Sequence, residues 1–63
     1  MLDLVKDILT KNNLKFIEIA LRHGTQLVCT NGAKVNVFNN NSVQVQGKAH
    51  IVSQIKSLLG LEV

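Results

Sequence analysis

The chain has 63 residues and a formal charge of +3, with 46% hydrophobic and 17% charged residues, no proline, tryptophan or tyrosine, and a single cysteine. That composition describes one globular domain, residues 1–63, and excludes a disordered tail, a disulfide framework and a cysteine-rich metal cluster. A domain this short buries only about 60% of the surface its unfolded chain exposes, so without a disulfide or metal it gains stability from a partner, by default a second copy.

Leu2, Leu4, Val5, Ile8 and Leu9 recur at helical spacing between Asp3, Lys6, Asp7 and Thr10, which predicts a first helix over residues 2–11. Asp3 and Asp7 lie toward its N-terminus and Lys11 at its end, as the helix dipole favours, and Asn12-Asn13 breaks it. Residues 15–22 alternate and predict a strand, although Leu14, Ile17 and Leu21 also fit helical spacing. His23-Gly24-Thr25 signals a turn, and residues 26–30 are rich in strand formers. Asn31-Gly32 is a strong hairpin signal and predicts a two-residue turn. Residues 33–38 alternate cleanly, Asn39-Asn40-Asn41 marks another turn, residues 42–46 alternate again, and Gly47 ends that strand. From about residue 48 to 59 the period returns to helical through Ile51, Val52, Ile55, Leu58 and Leu59, with Gly60 as the stop.

The order is therefore α-β-β-β-β-α. Short turns predict an antiparallel four-stranded meander, and two apolar helical stripes need cover that one sheet face supplies. The expectation is an α+β, two-layer fold with both helices on one face and the other face open. Strand parity assigns Ile17, Ile19, Leu21, Leu27, Cys29, Val35, Val37, Val43 and Val45 to the core face. It assigns Phe16, Glu18, Ala20, Arg22, Gln26, Val28, Thr30, Lys34, Asn36, Phe38, Ser42, Gln44 and Gln46 to the open face.

Both phenylalanines thus fall on the open face beside cations and amides. Rings that stack or wedge between bases, amides that reach base edges and cations that hold phosphates are what a nucleic-acid platform needs. No acid lies between Glu18 and Glu62, whereas Arg22, Lys34, Lys48 and Lys56 fall in that stretch, which suits a polyanionic partner. The alternative is that Phe16 and Phe38 fold over the core rim or bury in a homodimer interface.

The run Ala33-Lys34-Val35-Asn36-Val37-Phe38-Asn39-Asn40-Asn41-Ser42-Val43-Gln44-Val45-Gln46-Gly47-Lys48-Ala49 before a helix resembles the repeat of the TATA-box-binding-protein fold. It is more similar still to the N-terminal substrate-binding domain of bacterial ribonuclease HIII, with Phe38 at the family's aromatic position and Gln46-Gly47-Lys48 at its strand end. The resemblance extends back without gaps to about Gly24 and departs at Asn40-Asn41-Ser42, where the family has Ser-Gly-Lys. It implies a curved sheet, half of a two-repeat saddle that a single repeat would complete by dimerising, whose helix-free face binds duplex DNA or RNA–DNA hybrid. It carries over no hydrolysis, because the nuclease half of that family has no counterpart here.

No catalytic constellation is visible, so no enzymatic activity and no cofactor are expected. His23 and His50 lack a neighbouring carboxylate or thiol, Cys29 falls on the core face, and Asp3 with Asp7 reads as a solvated helix start. No apolar run approaches the ~18 residues that span a bilayer. Met1-Leu2-Asp3-Leu4 lacks the basic start of a signal peptide, and the lone cysteine suits the reducing cytoplasm. Two readings follow. One is a homodimeric nucleic-acid-binding module using Phe16, Arg22, Lys34, Asn36, Phe38, Gln44, Gln46 and Lys48. The other is a protein-interaction or dimerisation module, such as a regulator or inhibitor, using the same face or a strand edge.

Overall fold

Each predicted element forms close to its expected bounds in the computed structural model, which describes residues 1–61; Glu62 lies outside the described residues. Helix α1 spans Leu2–Lys11, strands β1 to β4 span Phe16–Leu21, Gly24–Cys29, Lys34–Phe38 and Val43–Gln46, and helix α2 spans Ala49–Leu59. The strands pair in sequence order, all antiparallel, as an open, uncurled sheet.

Both helices end in the same way. After α1, Asn13 takes a positive φ of 60°, and the Leu14 amide donates to the Leu9 carbonyl at 2.9 Å. After α2, Gly60 takes φ 72°, and the Leu61 amide donates to the Lys56 carbonyl at 2.8 Å. Left-handed residues let the chain turn back and satisfy carbonyls the helix leaves unpaired.

The two later hairpins also share one design. Cys29 donates to the Ala33 carbonyl while Gly32 donates to Cys29; Phe38 donates to the Ser42 carbonyl while Asn41 donates to Phe38. Each loop has three residues, with the third at positive φ (Gly32 at 92°, Asn41 at 68°). An Asn in the middle of each, Asn31 or Asn40, accepts the amide two residues on at 3.0 Å. The Asn31-Gly32 turn is therefore a three-residue loop rather than the expected two-residue one. The reason is that Asn31 spends its side chain on the Ala33 amide, leaving Gly32 as the one positive-φ position in the loop.

The core is Val5 and Leu9 from α1, Ile55 from α2, and Leu27, Cys29, Ala33, Val35, Val37 and Val45 from β2 to β4 and their connection. All the strand members project from one face, so both helices cover that face. Parity holds as expected for β2, β3 and β4. It is reversed for β1. The β1–β2 loop is only Arg22-His23, with Leu21 paired to Gly24, so Phe16, Glu18 and Ala20 register with Cys29, Leu27 and Thr25. Gly24 and Thr25, expected in the turn, belong to β2. Ile17, Ile19 and Leu21 consequently leave the core side for the open face, where they are 64%, 42% and 36% exposed. Phe16 goes the other way and packs against the core. Glu18 on the helix side is held by Lys6 of α1, with Nζ–Oε1 at 2.6 Å.

Candidate functional site

Cross-strand register arranges the open face in three rows. The first holds Leu21, Gly24 and Phe38; the second Ile19, Gln26, Asn36 and Gln44; the third Ile17, Val28, Lys34 and Gln46. The rows divide the face into two territories. On β1 and at Val28 it is aliphatic. On β3 and β4 it is polar, with Lys34 as its cation. The described acids lie elsewhere: Asp3 and Asp7 on α1 and Glu18 on the helix side.

Asn36 is buried although no layer covers its face. Register places Gln26 and Gln44 on either side of it and Lys34 and Phe38 along its own strand. Its Oδ1 accepts from Gln26 Nε2 at 2.9 Å, so a fixed amide pair marks the boundary between the two territories. A buried polar atom costs little only when so partnered.

Of the residues expected to form a nucleic-acid surface, Lys34, Asn36, Phe38, Gln44 and Gln46 do share the open face. Phe16 does not: the two-residue β1–β2 loop fixes its parity and turns its ring to the helix side. Arg22 lies in that loop, exposed and off the strand surface. Lys48 is the N-cap residue of α2, with φ −66° and ψ 148°, beyond the end of β4. The face thus keeps one aromatic ring and one lysine, and gains three aliphatic side chains not expected there. The signal that could have found them is the loop. Once Arg22-His23 is recognised as the whole connection, β1 and β2 positions on one face must sum to an odd number, which places Leu27 opposite Glu18 rather than beside Ile17 or Ile19.

Cys29 is buried, and burial pushes its thiol pKa up, away from the reactive thiolate. His23 and His50 are both exposed. Among the described residues no three of His, Cys, Asp and Glu gather where a metal could sit. A groove of about 540 Å3 between α2 and the loops at Asn12 and Asn31 is lined by Leu14, Ile55 and Leu58 with Asn, Gln and Ser side chains, and contains no ionisable group. No described helix is long and apolar enough to cross a membrane. No family model, no curated protein and no solved structure matches this chain.

Proposed function

We propose that the chain is a non-enzymatic protein-interaction module whose docking surface is the β1 side of the open sheet face. One observation carries the reading: Ile17, Ile19 and Leu21 project to solvent in a row from an edge strand. Large aliphatic side chains beside an unpaired strand edge are a liability for a solitary protein and an asset for one that associates. Each would gain about 25 cal/mol for every Å2 of apolar surface a partner removes from water. A cytoplasmic setting fits the buried free thiol.

The nucleic-acid reading keeps one supporting observation, the acid-free polar territory of Lys34, Asn36, Gln44 and Gln46 beside Phe38, together with the resemblance of residues 33–49. A single lysine on the face gives it less to hold phosphates with than the aliphatic row gives a protein partner.

The two readings separate experimentally. The double variant Ile17→Thr/Ile19→Thr retains strand-forming side chains while removing apolar surface. It should keep the parent's circular dichroism and lose binding of an apolar fluorescent dye measured in dilute solution. If the parent binds no dye and the variant unfolds, those side chains belong to the fold and the interaction reading fails. Fluorescence anisotropy with a short duplex, a single strand and an RNA–DNA hybrid tests the other reading. Affinity that falls steeply with salt and is weakened by Lys34→Ala would put nucleic acid in the partner's place.

A further inference from the structure

We infer that the partner of β1 is the β1 strand of a second copy, paired antiparallel across a two-fold axis centred on Ile19; this rests on the interaction reading above and names its occupant. The backbone supplies the first reason. The Thr30 amide donates to the Lys15 carbonyl, which makes 15 and 30 a hydrogen-bonded pair. Antiparallel alternation then directs Ile17, Ile19 and Leu21 toward β2 and leaves the N–H and C=O groups of Phe16, Glu18 and Ala20 pointing outward. The one charge in the strand, Glu18, is neutralised by Lys6 of the same copy. The strand has six residues with no proline, glycine or lysine, and all but Phe16 are exposed. The opposite edge, β4, has only four residues and contacts α2.

Self-complementarity supplies the second reason. Around Ile19 the strand reads as a near palindrome, Ile17-Glu18-Ile19-Ala20-Leu21. A two-fold axis there sets Ile19 against its own copy in a non-hydrogen-bonded pair, where side chains come closest, and Ile17 against Leu21 on both sides. The outward backbone groups of Glu18 meet those of Ala20 in the other copy. An axis one residue earlier would instead oppose two Glu18 carboxylates, which is unfavourable. In the chosen register Glu18 faces alanine and keeps its bridge to Lys6. The pairing joins two four-stranded sheets into one of eight and sets the aliphatic rows of the two copies side by side across the new seam, where their facing flanks pack together.

Sedimentation of the parent should give twice the 6.9 kDa chain mass, and association should hold or tighten as salt screens the two +3 charges. Mild oxidation should link Ile19→Cys into a covalent dimer. Ile17→Cys should stay unlinked, because its two copies would lie about 13 Å apart along the strands, beyond disulfide reach. The parent serves as the control for buried Cys29, and Ile19→Lys should be a folded monomer by circular dichroism and sedimentation. A parent that remains at 6.9 kDa across about a hundredfold range of concentration overturns the pairing. If the dye still binds its exposed row, a different protein is the occupant. A dimer that survives Ile19→Lys, or equal cross-linking through Ile17→Cys, also overturns it.

Discussion

Strands β1 and β3 look alike as sequences and behave oppositely. Both alternate aliphatic and polar residues. In β3 the aliphatic positions Val35 and Val37 lie under the helices, and Asn36 faces outward. In β1 Ile17, Ile19 and Leu21 face outward, while Phe16, Glu18 and Ala20 take the helix side. The difference teaches that alternation specifies two faces without saying which is inside. Loop length decides that, because a loop of two residues and a loop of three set opposite parity in the next strand. Glu18 tolerates its side because Lys6 reaches it, and Ala20 because it is small and at the uncovered margin of the sheet.

The sharpest test sets one strand's aliphatics against the other's. Leu27→Ala, in the row beside Val35, should cost about 2–5 kcal/mol, since its side chain is fully buried. Ile17→Thr, which keeps a strand-forming side chain, measured by chemical denaturation in the same dilute conditions, should fall within about 0.5 kcal/mol of the parent. Equal losses would erase the contrast.

Gly24 links the two regions, at the start of β2 between Leu21 and Phe38. A Cβ there would overlap the Val37 carbonyl oxygen and lie 2.7 Å from the Phe38 Cα, both backbone atoms that cannot rotate away. Gly24→Ala should therefore cost about 1–3 kcal/mol, visible as a lowered melting temperature. An unchanged melting point would mean that β2 and β3 approach less closely at that end.

Gly32→Val should destabilise by about 1 kcal/mol or more, because a β-branched residue resists the positive φ that closes the β2–β3 loop. Asn41→Gly at the matching position should be neutral or slightly stabilising, since glycine meets no Cβ penalty there. Urea midpoints of the two variants should move in opposite directions or differ in size. Parallel shifts would show that the two loops are not equivalent.

The smallest effect concerns the Lys6–Glu18 bridge, which sits at the solvent-exposed margin of β1. The hydrogen bond to Glu18 raises the Lys6 pKa above its ordinary value of 10.5. The bridge therefore contributes fully below that value and is lost as pH rises through the higher folded pKa. Glu18→Gln should remove this alkaline dependence from the melting temperature while leaving the neutral-pH value nearly unchanged. A large loss at neutral pH would mean that Glu18 anchors β1 to α1 more strongly than an exposed pair can.

Much of this architecture was legible residue by residue. The helical stripes around Val5 and Leu9 and around Ile55, the stops at Asn12-Asn13 and Gly60, and the faces of β2 to β4 follow from period and punctuation alone. The same alternation sets Lys34, Asn36, Phe38, Gln44 and Gln46 on one face, where the register has them. The side of β1 was not legible, because His23-Gly24-Thr25 has the composition of a turn although Gly24 and Thr25 are strand residues, Gly24 beside a close backbone neighbour. That single shift exchanged Phe16 for Ile17 and Ile19 and moved the candidate surface from aromatic and cationic toward aliphatic. Lys6 and Glu18 are far apart in sequence, and nothing local announces their bridge.

The matched loops have a kinetic consequence. Every strand pairing in the sheet is closed by two or three residues, so little chain entropy is lost before each pairing forms, and hairpins of this kind assemble within about 1–10 μs. Contact between α1 and α2, by contrast, must bring together segments from opposite ends of the chain. Closing the loop between the two helices is therefore the costliest contact in the fold, and the strand pairings are the cheapest.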